Sequence, residues 1–217
     1  QVSGLLESPD IYYLAEMMNF PGVINGDPEV MRKIESATRL GKPVDGHAPG
    51  LTGNNLEKYI SAGVSTDHEC MTYEEGLEKI SKGMKVLIRE GSAARNLDSL
   101  KQLIKEYPAE VMICSDDLHP ETLRERHLDK IVAKLIKEGF DLFDVLRAVS
   151  VNPVVHYGIK GGLLRKGDPA DFIIVDSFVK EDNKNRDLFE VPAMCFRLLF
   201  RVRRLIFPAH RNRPARI

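Results

Sequence analysis

Residues 43–69 read PVDGHAPGLTGNNLEKYISAGVSTDHE, and this stretch shows how the chain is built. A short apolar segment at 43–46 is followed by a segment of helical period at 55–62, which ends at Gly63, and then by a second short apolar segment at 64–67. A histidine directly follows each apolar segment. The pattern predicts a β-strand, an α-helix and a second β-strand, with polar side chains at the carboxyl end of each strand.

The same alternation extends over the first 150 residues. We predict strands at 11–17, 43–46, 64–67, 85–89 and 110–115, and helices at 28–40, 55–62, 73–82, 96–106, 121–138 and 142–149. Five strand-then-helix units in a row imply parallel strands joined by right-handed crossovers. An open doubly wound sheet and part of an eight-stranded barrel both satisfy this α/β pattern. Polar residues fall at one end of every strand, which favours a partial TIM-type (βα) barrel, since barrel active sites lie at the carboxyl-terminal rim.

The character of the sequence changes after Pro153. The segment 158–167 is rich in glycine, and 172–175 is a β-prone run. We therefore expect a barrel segment at residues 1–157 and a small β segment at 158–217. The second segment ends in an atypical basic tail, because residues 197–216 include seven arginines and no acidic residue. The first residue of the chain is not Met, so the chain is interpreted as a fragment.

The composition is that of a globular protein with one sizeable core, with 217 residues, 43% hydrophobic and 29% charged. The formal net charge of −1 gives no sign of nucleic-acid binding or of an acidic membrane surface. The three cysteines, Cys70, Cys114 and Cys195, have no CxxC spacing, which indicates a reducing compartment. No apolar run approaches the ~20 residues of a membrane span, and no signal peptide is visible. We therefore expect a cytoplasmic protein.

Five polar residues lie at the carboxyl ends of the five predicted strands, one on each. They are Glu16, His47, His68, Glu90 and Asp116. In a barrel these positions share one rim and face a common axis. Two imidazoles and several carboxylates at this rim could hold one or two divalent metals, and Zn, Mn and Fe all suit these ligands. Two glycines in the segment 45–50 permit close approach of the backbone and unusual dihedral angles. A single histidine after a strand is more often a hydrogen-bonded loop residue, so the prediction depends on the joint pattern.

The order Glu, His, His, Asp resembles the metal-dependent amidohydrolase superfamily, where these residues lie on strands four, five, six and eight. Within it, the segments 16–23, 45–51, 66–69, 88–94 and 114–117 look like the adenine deaminases of bacteria and archaea. The stretch after Asn152 is similar to the exit of the superfamily barrel into its β-sandwich domain. The resemblance implies that about strands four to eight are present. The His-x-His pair that the superfamily carries on strand one occurs nowhere in this sequence.

The resemblance also implies an activity and a set of roles. The activity is hydrolytic deamination of adenine to hypoxanthine and ammonia by metal-activated water, a reaction of purine salvage. The metal centre would be binuclear, with Mn or Fe and with Zn as a further choice. Glu16 would bridge the two metals and His47 and His68 would bind the second. Asp116 would bind the first metal and act as the proton shuttle, so Glu16 and Asp116 are the predicted catalytic residues.

Four further residues are candidates for reading the purine edge by hydrogen bonds: Arg89, Glu90, Ser92 and Asp117. Each also has a structural interpretation, since Arg89 could pair with a neighbouring carboxylate. His119 is equally consistent with a residue that gates the site and with a surface-loop residue.

Two other interpretations stay open. The chain could belong to another amidohydrolase that acts on a cyclic amide or amidine, or it could be an inactive truncated fragment. Five strands cannot close an eight-stranded barrel, so an open edge and half a core would be exposed. For the isolated chain we therefore expect poor solubility or a homo-oligomer, with little turnover. The expected partner is a small molecule, adenine, without nucleic acid or membrane.

Overall fold

A computed structural model describes residues 1–125 and 127–172 of the chain. The strands are β1 (Leu14–Met17), β2 (Val44–Gly46), β3 (Thr66–Asp67), β4 (Lys85–Arg89) and β5 (Val111–Cys114). The helices are α1 (Val2–Leu6), α2 (Phe20–Ile24), α3 (Pro28–Arg39), α4 (Gly53–Ser61), α5 (Tyr73–Ser81), α6 (Leu97–Leu100), α7 (Gln102–Glu106), α8 (Pro120–Glu125), α9 (Leu128–Lys137), α10 (Leu142–Leu146) and α11 (Asn152–Tyr157). A π-helical segment, Arg147–Val151, joins the last two helices.

The five strands form one parallel sheet in the order β1-β2-β3-β4-β5. The predicted parallel α/β arrangement is therefore confirmed. The strand order follows the chain without reversal, whereas a doubly wound sheet reverses its order at a switch point. Because neighbouring strands run in the same direction, all five carboxyl ends lie at one edge of the sheet.

The predicted boundaries need three corrections. The first strand begins at Leu14 rather than at residue 11. The helix predicted at 96–106 is divided at Lys101, where the Ile104 N–H donates to the carbonyl three residues earlier and interrupts the regular i→i−4 pattern. The helix predicted at 121–138 is divided before His127, which has an extended backbone and donates its N–H to the Asp129 carboxylate.

The helix caps agree with the sequence in two places. The Asp27 carboxylate accepts the N–H groups of Glu29 and Val30 at the start of α3. At the start of α5, the Thr72 hydroxyl accepts the Glu75 N–H, as a capping box requires. The Glu75 carboxylate accepts loop N–H groups instead of returning to the Thr72 N–H, so only half of the capping box forms.

Two apolar clusters make up the core. One lies around β2 with α3 and α4, and its fully buried members include Ile34, Ala37, Val44, Leu56 and Tyr59. The other packs β4 and β5 against the later helices, with Val86, Ile88, Leu103, Val111 and Leu135 fully buried. The strands are thus fixed by packing against the helices, and the polar residues lie apart from these clusters, at the carboxyl ends of the strands.

The second predicted segment, 158–217, falls mostly outside the described residues. Tyr157 ends α11, and Gly158 follows in the left-handed conformation with φ +63°. Of the β-prone run at 172–175, only Phe172 is described, and the basic tail lies outside the described residues. Within the described part of the chain, no helix has both the length and the apolar character that a membrane crossing needs.

The acid stability of the fold depends on His156. Burial, together with the nearby Lys85 charge, lowers the pKa of His156 to about 4. The unfolded chain keeps the ordinary pKa, so His156 favours folding above about pH 6.5 and this contribution is lost as the pH falls towards 4. The free energy of unfolding of the unsubstituted chain therefore falls between pH 7 and pH 5. We expect this fall to be smaller in His156→Gln by about 1 kcal/mol, a value that allows for the partial exposure of the ring.

Urea unfolding at both pH values measures this difference. The control is His119→Gln, which removes an exposed histidine. An equal pH dependence in the unsubstituted chain and in His156→Gln contradicts the prediction.

Candidate metal centre

Three of the predicted ligands meet at the carboxyl ends of β1, β2 and β3. Glu16 lies near the end of β1, and His47 and His68 directly follow β2 and β3. His68 Nε2 is 3.0 Å from Glu16 Oε2, and His47 Nδ1 is 3.7 Å from Glu16 Oε1. The two imidazole rings are 5.5 Å apart between centroids and nearly edge to face. One ligand atom from each of the three residues lies within 4.8 Å of the others, a spacing at which they could hold one metal ion.

Close approach between backbones places His47. A Cβ on Gly46 would lie 2.4 Å from the Thr66 carbonyl oxygen and 2.9 Å from Tyr59 Oη, so only glycine fits there. The Tyr59 hydroxyl accepts the His47 N–H and donates to the Met17 carbonyl, at 3.1 and 3.0 Å. Burial raises the pKa of Tyr59, which therefore stays protonated as a donor. The ends of β1 and β2 are thus joined directly beside the cluster, and the predicted need for glycine is confirmed.

Glu69 belongs to this cluster, although the sequence analysis did not include it among the site residues. Its Oε1 lies 3.4 Å from His47 Nδ1 and 3.4 Å from His68 Nε2. The side chain is largely buried, with 12% exposed. The available signal was an acidic residue directly after the second histidine. Side chains alternate between the two faces of a sheet only within a strand. The sequence therefore could not predict that the Glu69 side chain, which lies beyond the end of β3, points towards the histidines.

Arg89 connects the cluster to Asp116. Its Nη1 lies 2.6 Å from Glu69 Oε1 and 2.5 Å from Asp116 Oδ2. Burial acts to lower the pKa of Arg89, but the charges of Glu69 and Asp116 outweigh it and raise that pKa. Asp116 itself has φ +42°, an uncommon conformation that occurs at functional sites. Arg89 therefore links Asp116 to Glu69, the carboxylate next to the two histidines.

The predicted substrate contacts hold the loops after β4 and β5 together. Asp117 accepts the N–H groups of Ser92 and Ala93, at 3.1 and 2.8 Å. The Ala93 bond is the main cause of the lowered pKa of Asp117. The Ser92 hydroxyl accepts the His119 N–H at 2.9 Å. A Cβ on Gly91 would lie 1.6 Å from an Asp117 carboxylate oxygen, so this loop also requires glycine.

Glu90 points away from the imidazoles. Its Oε1 accepts the Leu97 N–H at 3.3 Å, and it lines a cavity of about 70 Å³ with Ser115 and His127. Ligand pockets usually measure about 300 Å³ or more. The described residues alone therefore do not enclose a purine-sized pocket at this position.

The donor set of the cluster fits a divalent cation. His47 Nδ1 is buried and has no hydrogen-bond partner among the described residues, although two carboxylates lie near it. When ionised, Glu16, Glu69 and Asp116 outnumber Arg89 and leave an excess of negative charge. Neutral imidazole and carboxylate together suit Zn, Mn or Fe. A cation at Glu16, His47 and His68 would offset this charge and provide a partner for the free nitrogen.

Comparison with known proteins agrees with this arrangement. The model of the amidohydrolase family matches residues 3–196. The chain belongs to the amidohydrolase family. A β-aspartyl dipeptidase from Fervidobacterium islandicum AW-1 shares the amidohydrolase fold, with a TM-score of 0.54 and 19% identity over 71% of this chain and 47% of that chain.

Closer relatives of this amidohydrolase chain carry the name adenine deaminase. The protein from Sulfurovum sp. is 61% identical over 176 residues, which is 81% of this chain and 33% of that protein. The protein from Methanosarcina acetivorans is 60% identical over 176 residues, with 81% and 32% covered. The chain thus spans about a third of the length of these curated relatives.

The spacing of β2 and β3 can be tested at Gly46. We expect Gly46→Ala to lower the free energy of unfolding by about 1–3 kcal/mol, because the added methyl group meets backbone that cannot move aside easily. The matched control is Gly4→Ala, where a Cβ meets nothing within 4 Å. Urea unfolding of both variants measures the difference. A Gly46→Ala variant as stable as the unsubstituted chain shows that the strands have room to separate.

Proposed function

We propose that this chain forms about strands four to eight of a (βα)₈ barrel that hydrolyses adenine to hypoxanthine and ammonia. The convergence of Glu16, His47 and His68 at one edge of a parallel sheet is the observation that carries the proposal. Relatives named adenine deaminase at 61% and 60% identity support the choice of substrate. The strand order without reversal supports a barrel over a doubly wound sheet.

We keep the proposed division into a barrel segment at 1–157 and a partial β-sandwich segment at 158–217. The end of α11 at Tyr157 and the left-handed Gly158 support a boundary there. The proposed partner is adenine, and we propose a cytoplasmic location. We also propose that the chain alone forms a homo-oligomer, because the described sheet has two outer strands, β1 and β5.

The proposed metal centre is binuclear and holds Mn or Fe, with Zn as a further choice. His47 and His68 would hold one ion, Asp116 would hold the other, and Glu16 would bridge them. A bound divalent cation supplies Lewis-acid chemistry, which makes water an effective nucleophile at neutral pH. Glu69 adds a further carboxylate 3.4 Å from both His47 Nδ1 and His68 Nε2.

Asp116 is the proposed proton shuttle. Arg89 Nη1 lies 2.5 Å from Asp116 Oδ2, so the carboxylate keeps one direction. A carboxylate in this position can take a proton from the attacking water and then deliver it to a nitrogen of adenine, so that ammonia leaves. The positive φ of Asp116 sets the direction in which its side chain leaves β5.

Four residues remain proposed substrate contacts: Arg89, Glu90, Ser92 and Asp117. The two ion pairs of Arg89 both use Nη1, and a guanidinium has five N–H donors, so others can reach a purine nitrogen. Ser92 and Asp117 lie on loops at the same edge of the sheet as the metal ligands.

The first test concerns the metal. We expect Mn²⁺ to bind the unsubstituted chain. Loss of an outer-shell partner typically weakens metal binding by about 10–100-fold, and we expect His68→Gln, which removes a direct ligand, to weaken it by more than that. Free Mn²⁺ measured by electron paramagnetic resonance during a titration gives the affinity. His119→Gln is the control, since this histidine is exposed. Equal Mn²⁺ affinity in His68→Gln and in the control would show that His68 is not a ligand of the metal centre.

The second test concerns the reaction. We expect the Mn²⁺-loaded chain to release ammonia slowly from adenine but not from adenosine or cytosine. We expect Asp116→Asn to lower this rate by about 10²–10⁴-fold, because its amide cannot accept the proton. Ammonia release measured by a coupled assay gives both rates. Activity on a non-purine alone, or an undiminished rate in Asp116→Asn, overturns the assignment.

A further inference from the structure

A second group of charged side chains lies buried beneath the metal centre. The Lys79 ammonium on α5 has no exposed surface and lies 2.9 Å from Asp67 Oδ2, 2.7 Å from Glu75 Oε1 and 2.9 Å from the Ala48 carbonyl oxygen. Donor atoms of Asp67, Cys70 and Glu75 are spaced closely enough for a metal ion, but the ammonium lies among them. Burial opposes the charge on Lys79, yet the surrounding carboxylates raise its pKa, so the group stays a cation.

Asp67 joins this buried group to both histidines. It ends β3 directly before His68, and its Oδ1 accepts the Ala48 N–H at 2.7 Å, directly after His47. Its Oδ2 accepts the Glu69 N–H at 3.0 Å. One carboxylate therefore fixes the backbone next to each imidazole.

Glu75 performs the same task two residues further along each loop. Its Oε1 accepts the Gly50 N–H at 2.8 Å, and its Oε2 accepts the Met71 N–H at 3.0 Å. Gly50 has φ +68°, so the loop after β2 turns in a conformation that the hydrogen bond to Glu75 holds in place. Without Lys79, both carboxylates would be buried without a cation, which is costly.

We propose that Lys79 is a positioning residue, whose ammonium holds Asp67 and Glu75 so that they align His47 and His68 towards one metal ion. The inference rests on the proposed metal centre, but its geometry does not depend on the substrate. The competing explanation is an ion pair that stabilises the fold alone. A structural ion pair would affect the free energy of unfolding without affecting metal affinity among folded molecules.

The experiment compares three variants by Co²⁺ titration, with the visible absorbance of the bound ion as the signal. Lys79→Met removes the cation, and Glu75→Gln removes one loop hydrogen bond at a smaller cost to folding. Leu135→Ala is the matched control for stability, because this fully buried side chain lies in the other apolar cluster. We expect Co²⁺ affinity to fall by about 10–100-fold in both charge variants and to stay unchanged in Leu135→Ala.

A second measurement needs no metal. Two-dimensional NMR spectra of the metal-free chain report the imidazole environments of His47 and His68, with His156 as the internal reference. We expect the first two signals to shift in Lys79→Met and Glu75→Gln while the reference stays. Unchanged imidazole signals overturn the inference, as does Co²⁺ affinity that falls no further than in Leu135→Ala.

The two proposals fail separately. If the unsubstituted chain binds no Co²⁺, the proposed metal centre is wrong, and the imidazole signals still decide whether Lys79 positions the histidines. If Lys79→Met does not fold, Glu75→Gln decides in its place.

Discussion

Parallel pairing of the five strands is the constraint on which the candidate site depends. Neighbouring strands lie about 4.8 Å apart, so side chains that follow adjacent strands at the same edge come into contact. Glu16, His47 and His68 meet for this reason, although they are separated along the chain by whole helices. A register shift of one residue would turn the side chains of β2 itself to the other face of the sheet. The close contact at Gly46 stabilises the observed register, because a side chain there would force the strands apart.

Positively and negatively charged side chains alternate from Lys79 on α5 to Asp116 after β5. The Lys79 cation lies deepest, and carboxylates surround it and hold the loops that carry the imidazoles. On the opposite side of the imidazoles, Glu69 pairs with Arg89, and Arg89 pairs with Asp116. Each buried charge described in this series has an opposite charge next to it, which is the condition under which burial of charge is tolerated. The group without a partner among the described residues is His47 Nδ1, which lies where the ligands converge.

The sequence predicted the strand order and the meeting of Glu16, His47 and His68, because a polar residue after a short apolar segment marks the carboxyl end of a parallel strand. It did not predict the burial of Lys79. Glu75 and Lys79 are four residues apart, a spacing typical of exposed helix pairs, and only the packing of the loop after β2 over α5 buries them. The sequence also did not predict the interruption at His127 within the helix expected at 121–138.

The last helix of the described residues, α11, contacts β2, the strand that His47 follows. Tyr157 on α11 donates to both carboxylate oxygens of Asp45, at 3.0 Å each, and the Thr66 hydroxyl donates to the same carboxylate at 2.7 Å. Asp45 is buried, and burial raises its pKa. A chain that ended before α11 would leave this carboxylate on β2 with fewer donors, and an unsatisfied buried acceptor costs about 1–3 kcal/mol. Because Asp45 is two residues from His47, α11 supports the same strand end that places the imidazole.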